Sequence, residues 1–113
     1  MKILIVDDER YIRESLKEIL DFEGHTTAEA ADGKEGLEAA MTGNFDAIFC
    51  DIKMPVMDGQ EMLAKLAENG VDTPVIMISG HGTIEDVVKC IKMGAYDYIE
   101  KPYDIDIMLA KIG

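Results

Sequence analysis

No apolar run in this chain approaches the ~20 residues that a membrane-spanning helix needs. The longest are about one strand long. No basic stretch leading into an apolar segment opens the sequence, so no secretory leader is indicated. There is no Ser- or Pro-rich linker, low-complexity tract or internal repeat, and 113 residues is the size of one small domain. Bases are scarce: 11 stand against 23 acids, for a formal net charge of −12. That balance disfavours direct contact with nucleic acid or an anionic membrane and favours cations and basic partner surfaces. Most of the surplus acid reads as a solvated, solubilising surface. Cysteine is rare too. Cys50 and Cys90 form no CxxC pair and read as small buried apolar residues. His25 and His81 lack the spacing of a metal site. The expectation is one soluble, cytoplasmic domain, with 48% hydrophobic residues to build its core.

What is present is a regular alternation of periods. Lys2 to Val6 reads as a buried strand, and residues 9–22 as a helix with Ile12, Leu16, Ile19 and Leu20 on one face and Gly24 as its stop. His25 to Ala30 is a weaker strand expected at an edge. Asp32 caps a helix to about Met41, with Glu35 placed for a capping box. Phe45 to Cys50 is the third strand. Met54-Pro55 breaks the chain, and Asp58 caps a helix to about Glu68 that Asn69-Gly70 ends. Pro74 leads into Val75 to Ile78, an apolar run suited to a strand covered on both faces. Thr83 caps a helix to Met93, Gly94 stops it, and Ala95 to Ile99 is a short last strand. From Asp104, the set Ile105, Met108, Leu109 and Ile112 begins a fifth helix that looks cut short.

Five strand-helix units in a row imply right-handed crossovers and a parallel sheet with helices on both faces. Such sheets bind ligands beyond the carboxyl ends of their strands. The polar residues of interest stand there: Asp7 and Asp8 after the first strand, Asp51 after the third, Ser79 after the fourth and Lys101 after the fifth. Carboxylates avoid burial unless something pairs with them. Three converging acids call for a cation, a shared proton or a positive side chain. Mg²⁺ suits them, since it takes one or two carboxylates and keeps positions open for water and phosphate oxygens. Lys101 adds a point charge able to pair with Asp51 or with an arriving anion. Ser79 adds a hydroxyl, and Gly80 leaves room beside it. These are the parts of a phosphoryl-transfer site, in which a carboxylate is able to serve as nucleophile.

The segments Val6-Asp7-Asp8-Glu9, Cys50-Asp51-Ile52-Lys53-Met54-Pro55-Val56-Met57-Asp58-Gly59, Ile78-Ser79-Gly80 and Lys101-Pro102 resemble the motifs of response-regulator receiver domains, in order and over nearly the whole chain. The stretches Ser79 to Glu85 and Lys92 to Pro102 resemble receivers attached to AAA+ enhancer-binding transcription activators. The resemblance implies a flavodoxin-like, doubly wound α/β fold with strand order 2-1-3-4-5. It implies that Asp51 accepts a phosphoryl group from a phosphohistidine on a sensor histidine kinase. Asp7, Asp8, Asp51 and the backbone carbonyl of Lys53 would hold Mg²⁺, with Asp8 a direct ligand and Asp7 acting mainly through water. Ser79 would be the switch hydroxyl, Lys101 the family's lysine beside the phosphoryl group, and Tyr98 the aromatic switch. Lys53 and His81 fall where the family tunes phosphoryl lifetime.

The implied function is a signalling switch and not an enzyme, beyond its own phosphorylation and dephosphorylation. Its output face, built from the fourth helix, last strand and fifth helix, would control an effector, such as a transcription regulator, and offers a homodimer surface. A degenerate receiver acting as a constitutive binding module is the alternative. A haloacid-dehalogenase-like phosphatase wants a second Asp where Lys53 stands. A flavodoxin wants a Ser/Thr/Gly-rich phosphate loop where Asp7-Asp8-Glu9-Arg10 stands. Residues 1–113 are expected to be one receiver whose last helix is truncated and whose effector lies beyond.

Overall fold

Side-chain alternation along the strands decides the layers of the computed structural model, which describes residues 1–80, 84–100 and 109–111, without the side chain of Ser79. The elements run β1 (Lys2–Val6), α1 (Arg10–Phe22), β2 (Thr26–Ala30), α2 (Gly33–Thr42), β3 (Ala47–Asp51), α3 (Gly59–Glu68), β4 (Val75–Ser79), α4 (Ile84–Lys92) and β5 (Asp97–Glu100). All neighbouring strands pair in parallel, in the order β2-β1-β3-β4-β5. This is the doubly wound flavodoxin-like sheet that the alternation and the resemblance call for.

Ile3, Ile5, Phe49, Ile76, Ile78 and Ile99 point to one face, where Leu16 and Leu20 of α1 and Leu109 meet them. Leu4, Val6, Ile48, Cys50, Val75 and Met77 point to the other and pack on Ala40, Met62, Leu63, Leu66 and Cys90 from α2, α3 and α4. The central strands β1, β3 and β4 are therefore apolar in nearly every position, as strands covered on both faces must be. Strand β2, rich in Thr and Ala, lies at an edge and is largely open.

Local signals act where the sequence places them. The Asp32 carboxylate accepts the Glu35 N–H at 2.8 Å, and the Asp58 carboxylate accepts the Glu61 N–H at 2.8 Å. Gly24 and Gly94 end α1 and α4 with φ of +89° and +109°, which residues with a Cβ rarely adopt. Strand limits differ from the periodicity by up to two residues. Asp46 donates its N–H to Lys2 O at 2.7 Å and accepts the Lys2 N–H on its carboxylate at 2.8 Å, so β3 begins after it, at Ala47, and runs to Asp51. Ala95 N–H turns back to Cys90 O at 3.0 Å, so β5 begins at Asp97. Of the expected fifth helix, residues 109–111 are helical; its start, Thr83 and Lys101-Pro102 lie outside the described residues.

Candidate functional site

The site forms where β1 and β3 end side by side, with Val6 opposite Cys50. Asp7 continues the ladder one step past β1: its N–H donates to Ala30 O of β2 at 3.1 Å. Its carbonyl accepts from Arg13 Nη1 at 2.7 Å, and its Oδ1 accepts the Glu9 N–H at 2.9 Å. Asp7 is fully buried. Glu9 is the N-cap of α1 and makes no side-chain cap hydrogen bond, so Asp8 is not there to cap the helix. Its exposed carboxylate is left to the site.

Asp51 is the last residue of β3 and is 5% exposed. The loop after it is tied at both ends. Ile52 N–H donates to Ile78 O at 3.2 Å, and Gly59 N–H returns to Ile52 O at 2.8 Å. Gly59 packs so closely on Asp51 O that a Cβ there would collide with backbone. At the loop's crest, Met57 N–H donates to Pro55 O at 2.7 Å, and Val56 takes φ +68°, an outlier for a β-branched residue. Lys53 lies on this loop, exposed.

One carboxylate oxygen from each of Asp7, Asp8, Glu9 and Asp51 falls in a group whose members all lie within 4.8 Å of one another. Two of the four residues are buried and two exposed. Carboxylates gathered this closely form a negative pocket that a bound cation would neutralise. The donor set is all oxygen, which suits a hard cation such as Mg²⁺ and gives a soft one nothing to prefer. The exposed pair leaves one side open for water and an incoming phosphate. Beside this group, burial and then the Asp51 charge push the Cys50 thiol far above its usual range. It donates a hydrogen bond toward Asp51 O at 3.4 Å and stays neutral, so it is no competing nucleophile. Cys50 and Cys90 are both free and buried, as the sequence suggests.

The structure thus brings together Asp7, Asp8 and Asp51, three of the expected site residues. Ser79 ends β4 opposite Glu100, which sets its backbone at the same sheet edge. Tyr98 lies on the edge strand β5 opposite Met77 and is partly exposed. Lys101 and His81 lie outside the described residues. Glu9 joins the cluster although sequence reasoning gave it no role; the unbroken Asp-Asp-Glu run was its signal. Arg13 was also passed over, because a base on an amphipathic helix ordinarily reads as part of a solvated face. Among the described residues no helix is long and apolar enough to cross a membrane.

A family model described as the response regulator receiver domain matches residues 3–113. The transcriptional regulatory protein DltR of Streptococcus agalactiae is 37% identical over 112 residues, covering 99% of this chain and 50% of that protein. The response regulator MprA of Mycobacterium leprae is 38% identical, covering 99% of this chain and 49% of that protein. The chain therefore spans about half the length of these relatives. Among solved structures, a response regulator receiver domain protein from Methanospirillum hungatei superposes with a TM-score of 0.92 at 39% identity, over 98% of this chain and 89% of that one. The receiver domain of NtrX from Brucella abortus gives 0.87 at 42% identity, over 96% and 94%.

Proposed function

The chain belongs to the response regulator receiver domain family, and on that premise we propose that it is a phosphorylation switch with Asp51 as the acceptor. The observation that carries this reading is the gathering of Asp7, Asp8, Glu9 and Asp51 at the carboxyl ends of two adjacent strands. Of these, Asp51 alone ends β3; the other three belong to the turn after β1.

An Asp51 carboxylate oxygen attacks the phosphorus of a phosphohistidine on a sensor kinase. The new P–O bond forms as the P–N bond breaks, and the electron pair returns to the imidazole. Asp7, Asp8, Asp51 and the Lys53 carbonyl would hold Mg²⁺. When bound, it would offset the charge on the phosphoryl oxygens. The Ser79 hydroxyl and the Lys101 ammonium would hold the transferred group. Hydrolysis of the acyl phosphate by water resets the domain; a receiver needs no further substrate of its own.

The output follows as a population shift of the α4-β5 face and the last helix, with Ser79 and Tyr98 as its moving parts. Ile84, Val88, Ile91 and Tyr96 leave that face exposed and apolar enough for an effector or a second copy. The name of DltR, a transcriptional regulatory protein, supports transcription regulation as the output, and a cytoplasmic location accords with the receiver family. The test is labelling by acetyl phosphate in Mg²⁺. Wild type is labelled, while Asp51→Asn or wild type in EDTA is not. Undiminished labelling of Asp51→Asn would overturn the acceptor assignment. A wild type that never labels would favour a constitutive binding module.

A further inference from the structure

Arg13 is the one long cation of α1 turned inward toward the site; its side chain is 16% exposed. Its Nη1 donates to the carbonyl oxygen of Asp7 at 2.7 Å, and its Nε lies 3.5 Å from Glu29 Oε1. Glu29 precedes Ala30, whose carbonyl receives the Asp7 N–H. One guanidinium thus joins α1, the turn after β1 and the end of β2, at the residue that starts the acid pair. We infer that Arg13 is a positioning residue for cation binding: it fixes the backbone of the Asp7-Asp8 turn so that both carboxylates face Asp51. This rests on the reading that the cluster binds Mg²⁺.

Two effects of Arg13 oppose each other, and their balance has a measurable sign. Its positive charge behind the cluster repels an arriving cation. Its hydrogen bond to the Asp7 carbonyl holds the turn in shape for one. If charge dominated, removing Arg13 would tighten Mg²⁺ binding. If positioning dominates, removal loosens it. The short, charge-assisted bond and the planar fork that makes two contacts at once favour positioning. Groups that orient metal-binding residues from behind typically change affinity by ~10- to 100-fold when removed. Lysine keeps the charge but not the fork, so it separates the two effects.

The experiment is a Mg²⁺ titration followed by amide NMR shifts of Asp7, Asp8 and Asp51, beside a thermal melt of each variant. Arg13→Ala and Arg13→Gln should raise the Mg²⁺ Kd by roughly ten-fold, and Arg13→Lys should fall between them and wild type. Glu29→Gln leaves the Asp7 carbonyl bond in place and should change Kd far less. Ile99→Val, a core change on β5 at the other side of the sheet, should lower Tm and leave Kd unchanged. A folded Arg13→Gln protein with wild-type or tighter Kd would overturn the positioning role while leaving the cation reading intact. If wild type itself shows no Mg²⁺-dependent shift, the cation reading falls and this inference falls with it.

Discussion

Gly33 donates its amide hydrogen to the carbonyl of Met57 at 3.0 Å, joining the start of α2 to the loop that follows Asp51. The approach is so close that a Cβ on Gly33 would overlap that carbonyl. The first residue of a helix on one strand crossover therefore fixes the shape of a loop on another. Gly33→Ala should force the loop away, costing about 1–3 kcal/mol in urea unfolding. It should also slow labelling of Asp51 by acetyl phosphate. Unchanged stability and rate would show that the loop does not depend on this contact.

Val56 holds φ +68° at the crest of the same loop, with 76% of its surface exposed. A left-handed conformation costs a residue with a Cβ ~1–2 kcal/mol, and a glycine loses part of that advantage through unfolded-chain entropy. Val56→Gly should stabilise the domain by about 0.5–1 kcal/mol, read as a higher urea midpoint at unchanged slope. A lower midpoint would mean that the valine side chain contributes more than its backbone costs.

The acid cluster should make stability respond to Mg²⁺. A ligand at 100 times its Kd stabilises the state it binds by about 2.7 kcal/mol. Saturating Mg²⁺ should raise the Tm of wild type, and Asp51→Asn should respond less. Differential scanning calorimetry with and without Mg²⁺ measures both responses; equal Tm gains in both proteins would contradict a role for Asp51 in holding the cation.

Lys111 Nζ lies 2.7 Å from Asp97 Oδ2 and ties the last described residues to the start of β5. The hydrogen bond from Lys111 holds the Asp97 carboxyl below its usual range. A depressed carboxyl pKa stabilises the fold above the unfolded value, 3.8, and that contribution fades as pH falls through the folded value. Asp97→Asn and Lys111→Met should each lower stability at neutral pH, modestly because the pair is partly exposed. Their difference from wild type should shrink as the solution is acidified below pH ~4. A difference independent of pH in acid unfolding would place its origin in packing.

The caps Asp32 and Asp58, the stops Gly24 and Gly94 and the doubly buried strands were legible because each acts within a few residues of itself. So was the convergence of Asp7, Asp8 and Asp51, since parallel topology alone brings strand ends to one edge. The start of β3 was not, because Asp46 is held by Lys2, 44 residues away, and periodicity does not see such pairs. Arg13 and Gly33 were invisible for the same reason. Each touches the site through a backbone carbonyl on another element, and carbonyls leave no mark on side-chain patterning. Ser79 entered by its place at a strand end and by the Ile78-Ser79-Gly80 resemblance, and its backbone position agrees with the first.

Because β3 ends on Asp51 itself, with Phe49 two residues earlier in the core beneath α1, the proposed acceptor shares its strand face with a fully buried ring. A slip of one residue in the β1–β3 register would turn Asp51 to the opposite face and expel Phe49 from its place. On the proposed assignment of Asp51, labelling by acetyl phosphate therefore reports the β1–β3 register as well as the chemistry: a chain paired out of register holds the carboxylate away from its three acidic neighbours.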